Sequence, residues 1–133
     1  MNALLSLSPE QLSRGVVAAS SGNHGRGIAY AAKRFGAKVT IVMPHTVTPV
    51  KVEAIRALGA ETVFCETPER FQVAEQICAR TGAVMIPSFD DENVMAGQGT
   101  IGLEIMQQAP EIDRVVVPVS GGGLLSGIAT AVK

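Results

Sequence analysis

The sequence predicts an α/β fold: a three-layer α/β/α arrangement around a parallel sheet, followed by one further βα piece. Three observations carry this. Short runs rich in Val, Ile and Ala alternate with stretches of helix length, and successive runs start about twenty residues apart, room for a crossover helix each time. The runs lack polar alternation, the pattern of strands covered on both faces. Two of them lead directly into glycine-rich turns that open helices.

Each element has a local reason. Residues 15–20 (GVVAAS) form the first expected strand, bounded by Gly15 and the turn-rich SSGNHG. A helix follows over 24–35 and ends at Gly36, a C-cap residue. KVTIVM (38–43) is the second strand, stopped by Pro44. Thr48-Pro49 supplies an N-cap and a proline suited to the first helical position, and the helix runs to Leu58 before Gly59. Residues 61–65 make the third strand. Thr67-Pro68 opens a helix that closes near Gly82, and residues 83–86 make a short fourth strand. Residues 14–90 are therefore expected to form a small parallel α/β domain.

Residues 91–133 differ. Asp90-Asp91-Glu92 opens a helix over 94–108, with the acidic start favoured by the helix dipole. RVVVPV (114–119) is expected as a strand, SGGG as a turn, and 124–133 as a helix. That crossing helix and βα unit has no partner strand within the sequence, and strand backbone needs neighbours for its N–H and C=O groups. An incomplete domain that pairs with itself or another chain is the expectation, and a homo-oligomer its simplest form.

Composition narrows the function classes. Hydrophobic residues make up 47% and charged residues 17%, with a net charge of −1, so no basic stripe is available for nucleic acid or a membrane surface. One Tyr, four Phe and no Trp leave few platforms for stacking bases. No apolar run is long enough to span a bilayer, and the first residues lack the pattern of a signal peptide. Cys65 and Cys78 read as free thiols, which points to a reducing compartment, the cytoplasm. With His24 and His45 as the sole histidines, no metal-ligand spacing emerges.

The chemistry concentrates in two turns. In Val119-Ser120-Gly121-Gly122-Gly123-Leu124 the glycines let backbone approach an anion closely, and the following helix offers unsatisfied N–H groups. A phosphate suits it; a ligand-free tight turn is the alternative. In Ser20-Ser21-Gly22-Asn23-His24 hydroxyls and N–H groups at a helix start suit a carboxylate, against the alternative that Ser21 or Asn23 only caps the helix. Gly97-Gln98-Gly99-Thr100-Ile101-Gly102 fits a dinucleotide fingerprint literally, but no strand leads directly into it, so close helix packing is the better use. Lys51, Glu53 and Arg56 are expected on the wet face of their helix.

With these residues in view, the chain resembles the fold type II pyridoxal-phosphate enzymes, in particular the serine/threonine dehydratase and serine racemase branch. The likeness rests on AASSGNHGRGIAYAAKRFGAKVTIVMP (18–44), KVEAIRALGAE (51–61), AGQGTIGLEI (96–105) and VPVSGGGLLSGIA (117–129), in family order. His24 favours this branch, since related cysteine synthases usually carry Thr there. The resemblance implies pyridoxal 5′-phosphate as cofactor and a small hydroxy amino acid, serine or threonine, as substrate. It implies that Ser120, Gly121, Gly122, Gly123 and Leu124 form the phosphate loop. It implies that Asn23 bonds the cofactor's 3′-oxygen and that Ser20, Ser21, Gly22, Asn23 and His24 hold the substrate carboxylate. Ser21 matches the serine that exchanges a proton in serine racemases, the one catalytic assignment.

The departures bear on activity. The family's cofactor-tethering lysine lies in an (S/T)FKxRGA segment, and none of Lys33, Lys38, Lys51 or Lys133 has that context. Ser120 replaces the first glycine of the family's run. A portion of a dehydratase or racemase, inactive alone, is therefore the leading expectation. A non-catalytic module that associates through its incomplete sheet is the alternative, and a simple anion or nucleotide binder is a third.

Overall fold

The computed structural model describes residues 1–133. Its contacts divide the chain into two units, Met1 with Ala3–Ile86 and Asn2 with Pro87–Lys133.

Two short helices, α1 (Asn2–Leu5) and α2 (Pro9–Arg14), precede the first strand, where no element was expected. The second begins in a reciprocal capping box: the Gln11 N–H donates to Ser8 Oγ at 3.2 Å and the Ser8 N–H to Gln11 Oε1 at 2.8 Å. The S-P-E-Q spacing carries that signal in the sequence.

The elements that follow are β1 (Val16–Ala19), α3 (Asn23–Phe35), β2 (Val39–Pro44), α4 (Pro49–Arg56), β3 (Glu61–Cys65), a 3-10 turn (Thr67–Glu69), α5 (Arg70–Thr81) and β4 (Val84–Met85). The strands form one parallel sheet in the order β3-β2-β1-β4, with Val16 opposite both Val39 and Val84. The path steps from β1 to β2 to β3, then returns across the sheet to β4 beside β1. Right-handed crossovers therefore put α3 and α4 on one face and α5 on the other.

The side chains agree. Val17, Val42 and Cys65 pack with Ala74 and Ile77 of α5, while Ile41, the adjacent residue pointing the opposite way, lies against Gly25 of α3. Val16, Val17, Ala18, Ile41, Val42 and Met43 are all at most 1% exposed. A sheet buried on both sides has no polar face, which is why these strands read as unbroken apolar runs.

Helix ends follow the expected chemistry in two cases and depart from it in two. Gly36 and Gly82 close α3 and α5 in the left-handed conformation, φ 65° and 72°. By contrast α4 stops at Arg56, short of the expected Leu58, and Gly59 (φ 87°) serves the turn into β3 by donating to the Arg56 carbonyl at 2.8 Å. Thr67-Pro68 opens only the 3-10 turn, and the α-helix begins at Arg70. Lys51, Glu53 and Arg56 are exposed on α4, as expected.

The second unit is a helix pair, α6 (Glu92–Gln108) and α7 (Gly123–Ala131). Asp91 caps α6, accepting from the Val94 N–H at 2.8 Å. The glycines of the literal fingerprint are packing residues: a Cβ on Gly99 would lie 3.1 Å from the Gly127 carbonyl oxygen, and one on Gly102 3.0 Å from that of Ile128. The strand expected at 114–119 does not form. Residues 114–119 carry no strand pairing, all but the half-buried Val117 are exposed, and Val116 is 96% exposed. β-propensity places a segment in a sheet only when a neighbour offers the other half of the ladder.

Candidate functional site

In the first unit, β1 and β4 are adjacent in the sheet although β4 follows β3 at the far edge in sequence, so the strand order reverses at β1, the kind of place at whose carboxyl ends open α/β sheets hold ligands. Ser20, Ser21 and Gly22 leave the end of β1, and Asn23 and His24 open α3. The Ser20 hydroxyl accepts from the Gly22 N–H at 3.3 Å and shapes the turn. No side chain caps α3, so neither Ser21 nor Asn23 fills the structural role that competed with a binding one. Asn23 is exposed and Ser21 half-buried. The first N–H groups of α3 have no acceptor in their own helix and form the positive end of its dipole, a setting for a carboxylate.

His24 is half-buried and its Nε2 lies 3.0 Å from the Ile86 carbonyl oxygen, just past the end of β4. A carbonyl oxygen only accepts, so Nε2 carries the proton and Nδ1 of the neutral ring is left as an acceptor. Burial lowers the pKa of His24 most and the bond to Ile86 raises it; the net direction is downward. Gly25 is there because of close approach: a Cβ on it would run into the Ser20 carbonyl oxygen and sit 3.2 Å from Ile41 Cγ2. The turn from β1 therefore presses directly onto the first turn of α3.

In the second unit, Ser120 and Gly121 are exposed, Gly122 is half-buried and Gly123 is buried. Gly122 is the N-cap of α7 with φ 88°, a conformation that L side chains rarely adopt, and a Cβ on it would face open space. Its carbonyl accepts from Ser126 at 2.8 Å, which leaves the N–H groups of Gly123, Leu124 and Leu125 as the unpaired start of the helix. Gly121 and Gly123 are closed in by protein instead. A Cβ on Gly121 would lie 2.5 Å from Cγ of Phe89, and one on Gly123 3.1 Å from the Ser88 carbonyl oxygen. A backed turn that opens outward at Gly122, with a helix dipole behind it, fits a phosphate group.

The remaining reactive groups lie elsewhere. Lys33, Lys38, Lys51 and Lys133 are all exposed. Lys33 and Lys38 flank the start of β2, the end of the sheet opposite the Ser20–His24 turn. Cys65 and Cys78 are free thiols, and burial first, then nearby acidic groups, pushes both pKa values up. No group of three or more His, Cys, Asp or Glu is arranged to hold a metal, and no helix is long and apolar enough to cross a membrane. Sequence reasoning gave Phe89 no role and placed Ile86 only as the last residue of an expected strand. A partner in a tertiary contact leaves no local pattern.

Comparison with known proteins extends this picture. A family model described as "Pyridoxal-phosphate dependent enzyme" matches residues 1–133. The chain is 48% identical over 134 residues to an L-threonine ammonia-lyase of Thermotoga maritima, covering 99% of this chain and 33% of that protein. It is 46% identical over 138 residues to the serine racemase of Homo sapiens, covering 100% of this chain and 41% of that one. The structure of maize serine racemase superposes with a TM-score of 0.94 at 41% identity, over 98% of this chain and 40% of that one. The chain thus spans well under half the length of these relatives.

Proposed function

Because this chain belongs to the pyridoxal-phosphate dependent enzyme family, we propose that it is the phosphate-holding and carboxylate-holding portion of a dehydratase or racemase for serine- or threonine-like hydroxy amino acids. One observation carries the reading most: the Gly121–Gly123 turn is backed by protein at its outer glycines and open at Gly122. The backbone N–H groups of Ser120, Gly121, Gly122, Gly123 and Leu124 bind the cofactor's phosphate. The Asn23 side chain bonds the oxygen on its ring. Ser20, Ser21, Gly22, Asn23 and His24 hold the substrate's carboxylate at the start of α3. Pyridoxal phosphate, when bound, supplies the electron sink for charge at the amino acid's α-carbon. Ser21 would exchange a proton at that carbon once a neighbour activates its hydroxyl. A hydroxyl is a poor base without an activating neighbour, and no hydrogen bond to Ser21 supplies one.

The chain alone is inactive on this reading, since no lysine has the sequence context that tethers the cofactor. A pyridoxal-phosphate titration followed by absorbance, then borohydride reduction and intact-mass mapping, is the test. Saturable binding without a lysine adduct is expected. A reduced adduct on one lysine, or robust serine deamination or racemisation, would overturn the inactivity, and no binding at all would overturn the cofactor reading.

The exposed segment 114–119 favours a second reading, a non-catalytic module that pairs through this segment with a second copy. A clean monomer in light scattering at high concentration would sink it. The free thiols Cys65 and Cys78 suit a reducing compartment such as the cytoplasm.

A further inference from the structure

Within the second unit, three consecutive glycines form the most permissive backbone in the chain, and such a turn holds one shape only if something outside it does the holding. Phe89 is the side chain in that position. Its ring occupies the space where a Gly121 Cβ would be, with Cγ at 2.5 Å and Cε1 at 2.8 Å from that point. Its Cα and Cβ stand 3.1 Å and 3.2 Å from where a Gly123 Cβ would be.

Phe89 is itself held. Asp90, next to it, is the sole non-glycine residue at positive φ (58°), a conformation that persists when the surroundings determine it. Asp91 then locks onto α6 by accepting from the Val94 N–H at 2.8 Å. Further along, α6 and α7 are keyed together at Gly99, Gly102 and Gly127. The start of one helix therefore braces the start of the other through a ring that is 39% exposed.

We propose that Phe89 is a positioning residue for anion binding: its ring fixes the Gly121–Gly123 turn in the shape that aims its N–H groups at a phosphate ester. The proposal rests on the phosphate reading of that turn given above. Phe89 touches the turn, not the ligand, and acts by removing the entropy that the glycines would otherwise lose on binding.

The test compares the dissociation constants of pyridoxal phosphate and pyridoxal, which lacks the phosphate, on the full chain and its variants. The unaltered chain prefers the phosphorylated form. Phe89→Ala lowers that preference about tenfold with pyridoxal binding unchanged, since the preorganisation lost concerns the phosphate alone. Phe89→Tyr, which keeps the ring, retains the preference. Gly121→Ala alone abolishes it, and Phe89→Ala added to Gly121→Ala restores part of it, because the ring that the new methyl strikes is gone.

A general loss of folding would lower the thermal midpoint and the binding of both ligands together, leaving the ratio unchanged. That result, or a double variant no better than Gly121→Ala, overturns the role of Phe89 while leaving the phosphate reading intact. An unaltered chain that binds both forms equally overturns the phosphate reading itself, and the proposal with it.

Discussion

The His24 ring donates to the carbonyl oxygen of Ile86 at 3.0 Å across 62 residues of sequence, tying the first turn of α3 to the residue just past β4. These are neighbours only because β4 returns beside β1 after two strands have been laid down on the other side. The bond therefore ties the carboxyl ends of β1 and β4 together and sets the orientation of the turn that precedes α3.

It also makes stability depend on pH. Burial holds the pKa of His24 below the ordinary histidine value. In the unfolded chain the ring takes up a proton near about pH 6.5, while in the folded chain it resists until the pH is lower. Its contribution is thus fully present above that value and lost as pH falls toward the folded pKa. Urea unfolding followed between about pH 5 and pH 8 is expected to show stability declining on the acid side. His24→Ala should flatten that slope and cost about 1 kcal/mol at the alkaline end.

Gly25→Ala is expected to destabilise the first unit by about 1–3 kcal/mol, the range for overpacking a tight site. The added methyl meets the Ser20 carbonyl oxygen, which is backbone and cannot rotate away. Denaturant midpoints measure the cost. A midpoint equal to that of the unaltered chain would mean the turn and helix are not in contact.

Gly127→Ala tests the helix pair in the same way. Its methyl would strike the Met95 carbonyl oxygen and lie 2.8 Å from the Gly99 nitrogen. Loss of helical circular dichroism, with the first unit's transition retained, is the expected signature, at a cost of about 1–3 kcal/mol.

Trypsin should cut first after Arg114. That side chain is 88% exposed, and its backbone lies in an exposed stretch without ladder partners. Mass spectrometry of early digests checks this. A first cut instead at Arg80, inside α5, would contradict the accessibility of the segment.

Cys65 and Cys78 should react with a disulfide reagent far more slowly in the native chain than in denaturant. Both thiols have raised pKa values and are thiol rather than thiolate near neutral pH. Equal rates in the two states would show that neither is protected.

Much of this molecule is written locally. Apolar runs without alternation specify a sheet covered on both faces, and Gly36 and Gly82 end their helices where their freedom at positive φ is needed. The two candidate turns announce themselves by glycine and hydroxyl content at helix starts. Where the local signal misled, pairing was the cause: RVVVPV has every property of a strand except a neighbour.

The sequence by itself determined the α/β class, the strand–helix alternation of residues 15–86 and the two turns, because periodicity, caps and turn residues act within a few positions. Only the tertiary structure decided that β4 lies beside β1, that His24 is bonded and neutral rather than free in solvent, and that Phe89 stands behind Gly121. Those contacts join residues far apart in sequence, and their energy is fixed by shape and burial, which no short window of residues encodes.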